Sequence, residues 1–138
     1  MAQHIKVIDI QRLLPHENKQ AAKTKRLAKQ IYKDGGLFRP LLADARTLAL
    51  LDGHHRLGAL KLLRCARAPV LLVDYHGPKI RLFSRRKKYQ ANKAEVISRA
   101  QSHKLYPIKT TRHLVVGGRI KKFTPLQSLK SKKLTIIK

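Results

Sequence analysis

Acidic residues are scarce in this chain. Seven Asp and Glu stand against 32 Lys and Arg, giving a formal net charge of +25 and a sequence pI near 11.1. Such a balance repels itself and attracts polyanions, nucleic acid foremost among them. It also makes every remaining carboxylate worth explaining, since so few are present to solvate a surface. Cysteine is scarcer still. Cys65 alone excludes an internal disulfide and a multi-thiolate metal site, and its apolar neighbours mark it as a packed thiol. No run reaches the roughly 18 apolar residues of a membrane span. The opening Met1-Ala2-Gln3-His4-Ile5-Lys6 lacks the apolar centre of a signal peptide, so a cytoplasmic protein with no membrane partner is expected. Internal repeats and low-complexity segments are also missing.

What is present fits one globular domain over residues 1–138, with 43% hydrophobic residues to build a core. Residues 4–10 alternate well enough for a half-buried edge strand. Pro15 holds Leu14 extended before a helix over 18–33, with Asn18 as its N-cap. The inner face of that helix reads Thr24, Leu27, Ala28, Ile31 and Tyr32; Lys19, Lys23, Lys25, Arg26, Lys29 and Lys33 lie opposite. Asp34-Gly35-Gly36 ends it. Strands follow over 38–43 and 47–51, joined at Asp44-Ala45-Arg46. Residues 69–75 are apolar enough for a central strand. A short strand near 80–83, a helix over 91–103, an apolar strand at Leu114-Val115-Val116 and a basic tail from about 119 complete the chain. The mixture predicts an α+β fold, a mixed sheet with packed helices.

The densest signal is Leu48-Ala49-Leu50-Leu51-Asp52-Gly53-His54-His55-Arg56 and the helix-spaced Leu57, Leu60 and Leu63 after it. A strand, a tight Gly turn and a helix start aim backbone N–H groups and a positive dipole end at an anion. Gly53, His54, His55 and Arg56 would then grip phosphate. A buried turn needing Gly only for its backbone angles has the same pattern. Two further groups carry polar chemistry. Glu17, in Leu14-Pro15-His16-Glu17, is either a helix-end charge or a base. Lys109-Thr110-Thr111-Arg112-His113 is either an exposed strand start or a site for a carboxylate or phosphate, which its donors suit.

Asp52-Gly53-His54-His55-Arg56, with Ala68-Pro69-Val70 and Val73-Asp74-Tyr75 downstream, resembles the core of the ParB/sulfiredoxin-like superfamily. In particular it resembles the free serine kinase branch, enzymes that phosphorylate free L-serine with a nucleotide. The resemblance implies a ParB/sulfiredoxin-like domain in which Glu17 is the base that deprotonates the serine hydroxyl. It makes Asp52 a catalytic partner or a ligand of Mg²⁺, and gives Gly53, His54, His55 and Arg56 the phosphates of ADP or ATP. Lys109, Thr110, Thr111, Arg112 and His113 match that branch's Lys-Thr-Thr-Arg-His sequence and would hold serine and its phosphorylated product. ParB proteins carry a Gly-Glu-Arg-Arg-type sequence without the His pair. Sulfiredoxins carry a catalytic cysteine in the equivalent turn, and Cys65 is too far along the helix to replace it.

The chain departs from that branch in three places. Only residues 84 to 105 separate the sheet core from the Lys109 cluster, an interval much longer in the familiar enzymes. Tyr106 and Pro107 are adjacent, without the residue that normally parts them. Where an aromatic residue is expected near the amino acid, the chain offers Phe83 and then Ser84-Arg85-Arg86. The charge supports a rival of another class: a basic RNA-, ribonucleoprotein- or DNA-binding protein on the same fold, with dense runs from Lys19 to Lys33, Lys79 to Lys93 and Arg119 to Lys138. No aromatic RNA-binding signature accompanies those runs. The kinase roles require Glu17, Asp52 and Thr111 to converge on one pocket.

Overall fold

The computed structural model describes residues 4–118 and 120–130. In chain order the elements are β1 (His4–Asp9), a 3-10 turn (Ile10–Arg12), α1 (Ala21–Asp34), β2 (Gly36–Leu37), β3 (Leu41–Asp44) and β4 (Leu50–Asp52). Then come α2 (His54–Leu62), β5 (Arg67–Val73), β6 (Ile80–Ser84), α3 (Lys93–Ser102), β7 (Thr111–Val115), β8 (Thr124–Pro125) and a second 3-10 turn (Leu126–Leu129). Four strands form a mixed sheet in the order β1-β5-β3-β4, with β5 parallel to β3 and the other two pairings antiparallel. This is the expected α+β architecture, with β1 at an edge and β5 inside. None of the described helices is long and apolar enough to cross a membrane.

The two-residue period of the strands divides the core. Leu41, Ala43, Leu50 and Val70 face α1 and α2, where they meet Ile31, Leu57 and Leu60. Leu42, Leu51, Leu71 and Val73 face the other way, toward Ile80 of β6, Val96 of α3, Val115 of β7 and Tyr106 from the segment between α3 and β7. β5 is covered on both sides, which is why its sequence is apolar from Ala68 to Val73. Cys65 is a free, buried thiol in the first of these layers.

Four expectations change. α1 starts at Ala21 rather than Asn18, because residues 18–20 are already engaged elsewhere: the Asn18 N–H donates to Tyr106 O and the Gln20 N–H to His55 Nε2. Tyr32, placed on the inner face, is 72% exposed. The strand expected over 38–43 begins only at Leu41: residues 38–40 lie outside any strand, Pro40 having no N–H to offer a ladder, and a separate β2 just before them pairs with β8. The stretch read as a tail from about 119 includes β8 and the second 3-10 turn, whose Leu126 and Leu129 belong to the core. Arg119 and residues 131–138 of that tail lie outside the described residues.

The turn between β3 and β4 depends on a buried carboxylate. Asp44 is fully enclosed and accepts from Thr47 N–H at 3.1 Å, Thr47 Oγ1 at 2.8 Å and Tyr75 N–H at 3.3 Å. Removing it strands those donors in the interior. Asp44→Ala is expected to lower unfolding free energy by about 3 kcal/mol in urea melts, whereas Asp34→Ala, which loses only an exposed bond from Gln30, should stay within about 0.5 kcal/mol.

Candidate active site

Glu17 is not at a helix end, where the sequence suggested a dipole would favour it. It sits in an extended loop tied to two strands. Leu14 exchanges backbone bonds with Leu48 and Leu50, while Tyr106 N–H donates to His16 O and Asn18 N–H to Tyr106 O, both at 2.8 Å. The side chain crosses to residues far along the chain. One carboxylate oxygen, Oε1, accepts from Thr111 N–H at 2.9 Å and Thr111 Oγ1 at 2.8 Å; Oε2 accepts from Lys109 N–H at 3.0 Å. Lys109 has φ of 57°, a left-handed turn that brings neighbouring N–H groups onto one concave side, as in an anion-binding nest. This arrangement aims the carboxylate.

The strand–Gly–helix reading holds in detail. Gly53 caps α2 at φ 103°, and an added Cβ would lie 2.8 Å from Leu41 Cγ, so no other residue fits. Asp52 ends β4 with its carboxylate 3.7 Å from Arg56 Nη2. Arg56 Nη1 also donates to Arg39 O at 3.0 Å and Pro40 O at 2.9 Å. Arg56 therefore braces Asp52 and the 39–40 segment as well as facing the cleft.

The histidine pair does something the sequence did not suggest. His54 Nε2 accepts the His16 N–H at 3.2 Å and His55 Nε2 accepts the Gln20 N–H at 3.0 Å. Each ring is thus a neutral acceptor carrying its hydrogen on Nδ1, and together they pin the Glu17 loop to α2. Their proton affinities agree. Burial pushes His54 well below its ordinary 6.5, with His16, His113, His55 and Lys19 adding to the effect, and burial with Lys23 pushes His55 down. His16 is also lowered by burial, against its hydrogen bond to the Leu50 carbonyl, which works the other way. On the far wall, Tyr75 Oη meets His113 Nε2 at 2.8 Å, and burial raises the phenol's pKa.

One cleft of about 360 Å³ collects these groups. Glu17, Asp52, Gly53, His54, His55, Arg56, Lys109, Thr111 and His113 line it, so the three separated motifs converge. Thr110 and Arg112 do not. Thr110 is buried with its hydroxyl donated to Pro107 O, and β7 alternates so that Arg112 points outward while Thr111 and His113 point in. Five lining residues were not anticipated: Lys23, Leu27, Arg39, Leu51 and Arg85. Lys23 and Leu27 are one helical turn apart, a spacing that could have placed Lys23 on this side of α1 rather than opposite. Nothing local to Arg39 or Arg85 announces the cleft. No grouping of three or more His, Cys, Asp or Glu suited to a metal occurs among the described residues.

No family model matches the chain. An ATP-dependent L-serine kinase of Staphylothermus marinus is 30% identical over 80 residues, 55% of this chain and 32% of that protein. An ADP-dependent L-serine kinase of Thermococcus kodakarensis is 23% identical over 106 residues, 74% and 44% respectively. The chain thus spans less than half the length of these curated relatives. A solved free serine kinase in complex with AMP superposes with a TM-score of 0.81 at 15% identity, covering 91% of this chain and 93% of that one. Sequence relatives and solved neighbour both fall in the branch to which the motifs pointed, and the fold is that branch's fold.

A pH dependence of stability follows from the three depressed histidines. The unfolded chain takes up protons near 6.5 while folded His16, His54 and His55 do so only at lower pH. Stability is therefore fully present above about pH 6.5 and lost as pH falls below it. Thermal melts between about pH 7.5 and 5 should show Tm falling on the acid side. His54→Gln, whose amide oxygen can still accept the His16 N–H, should flatten that decline; a flat wild-type profile would contradict the assignment.

Proposed function

We propose that this cleft transfers a phosphoryl group from a nucleoside di- or triphosphate, ADP or ATP, to the hydroxyl of free L-serine. The observation that carries the reading is the placement of Glu17. Its carboxylate, aimed by Lys109 and Thr111, opens into the same cleft as Asp52 and the Gly53 start of α2. That arrangement puts a proton acceptor opposite a phosphate-binding helix terminus.

In this reading Glu17 takes the hydroxyl proton as the serine oxygen forms its bond to phosphorus, and the bond to the departing phosphate breaks. The products are O-phosphoserine and the shortened nucleotide. The α2 N-terminus and Gly53 receive the phosphates, with His54 and His55 offering Nδ1–H rather than positive charge. Lys23, Arg39, Arg56, Arg85 and Lys109 supply that charge, against Glu17 and Asp52 as the only carboxylates lining the cleft. Such an excess suits a polyphosphate, whose transfer relies on positioning and charge neutralisation. A Mg²⁺ ion fits the donor set: it commonly takes one or two carboxylates beside phosphate oxygens, and Asp52 would hold it. Bound there, the ion would neutralise charge on the phosphates. Thr111, His113 and Lys109 face the acceptor amino acid. Phe83 does not; it lines a separate groove with Pro78 and Leu82, and Arg85 occupies the corresponding stretch of the cleft.

Support from the relatives lies in their names, L-serine kinases using ATP in one case and ADP in the other. We read the chain as a single kinase domain over 1–138 acting in the cytoplasm, where nucleotide donors are found. The nucleic-acid reading rests on total charge.

The test is phosphoserine formation from L-serine, Mg²⁺ and either ADP or ATP, on protein freed of nucleic acid. Turnover is expected with at least one donor, and Glu17→Gln should lower kcat by about 100-fold or more. Failure of the wild type with both donors would overturn the reading.

A further inference from the structure

His16 is fully buried, yet the roles assigned above leave it idle. Its contacts form a line. Nδ1 lies 2.7 Å from Leu50 O, Nε2 lies 2.8 Å from Thr111 Oγ1, and that same oxygen lies 2.8 Å from Glu17 Oε1. A carbonyl only accepts, so Nδ1 carries a hydrogen, and a neutral ring leaves Nε2 as an acceptor. Thr111 has one hydroxyl hydrogen to give to His16 or to Glu17. Three contacts in line need three hydrogens; the neutral ring and the hydroxyl supply two. With Glu17 ionised the line is one proton short.

We propose that His16 is a positioning residue for the base, acting through the Thr111 hydroxyl so that the line from Leu50 to Glu17 is completed by the proton Glu17 removes from the acceptor hydroxyl. The proposal rests on the phosphoryl-transfer reading above. When that proton reaches Oε1, Glu17 donates to Thr111 Oγ1, Thr111 donates to His16 Nε2, and His16 Nδ1–H keeps its bond to Leu50 O. The electron pair of the broken O–H bond stays on the serine oxygen, which uses it to bond phosphorus. No charge is placed on the imidazole. Its surroundings suit a ring kept neutral: burial lowers its pKa, and His54 and His113 stand edge-on at 4.7 and 5.5 Å, with the Tyr106 ring at 6.2 Å. The charged groups acting on it are Glu17 from its own loop and Asp52 from β4.

Two substitutions isolate the line. Thr111→Val keeps shape and the backbone N–H to Glu17 but removes the hydroxyl; His16→Asn keeps a donor for Leu50 O but has no group at Nε2. Each should lower kcat by about tenfold or more with KM for nucleotide within about twofold. Thr111→Ser should regain most of the loss. The double variant should be no slower than the slower single one, because both break the same line. In ¹⁵N spectra of the wild type, a measurement that needs neither turnover nor a variant, His16 should carry its proton on Nδ1 alone. Wild-type kcat in Thr111→Val, multiplied losses in the double variant, or a ring protonated at Nε2 would each overturn the proposal. Absence of phosphoserine from the wild type would instead sink the kinase reading, and this one with it.

Discussion

The carboxylate of Glu17 and the donors it meets from residues 109 and 111 form the contact on which the cleft depends. Partners 92 and 94 positions apart in sequence are joined there, so the bonds exist only when β7 has been laid against β4 and the 15–18 loop. The same bonds close the loop, orient the proposed base and fix the inner edge of β7. A single ionisable group thus links the order of the chain to the chemistry of the site.

The histidines show how a protein can use a charged-looking motif without charge. His54 and His55 read as phosphate-gripping cations beside a helix start. Burial and neighbouring cations lower their proton affinity, and their Nε2 atoms hold backbone N–H groups instead. They fasten the Glu17 loop to the start of α2, the two halves that the proposed phosphoryl transfer would keep in register. Positive charge is left to Lys and Arg, which keep it at any working pH.

Six of the seven carboxylates divide along the same logic; the seventh, Asp9, closes β1. Asp44 is consumed by the turn between β3 and β4, Glu95 pairs with Arg99 on α3, and Asp34 and Asp74 accept local bonds. Only Glu17 and Asp52 enter the cleft. In so basic a chain the potential there is positive almost by default, and two placed anions give it local structure. Why charge is equally dense on the outer surface of α1, far from need, has no counterpart in the geometry of the site.

Much of the fold was legible in the residues themselves. Two-residue alternation and a continuous apolar run located the edge and central strands, and Asp52-Gly53 marked the strand–turn–helix junction, because a positive φ and close packing against Leu41 demand glycine locally. The resemblance of their motifs to the serine kinase branch singled out Glu17, Asp52 and Thr111. What the sequence could not hold was anything decided by partners distant along the chain. The delayed start of α1 depends on Tyr106 and His55, the pairing of β2 on β8, the burial of Thr110 on Pro107, and the turning away of Arg112 on the pleat of β7. Lys23, Arg39 and Arg85 enter the cleft because the folded chain brings α1, the 39–40 segment and the end of β6 to one rim. Local patterns are set by each residue's own backbone and burial preferences. Which donor meets which acceptor is set only when the sheet closes.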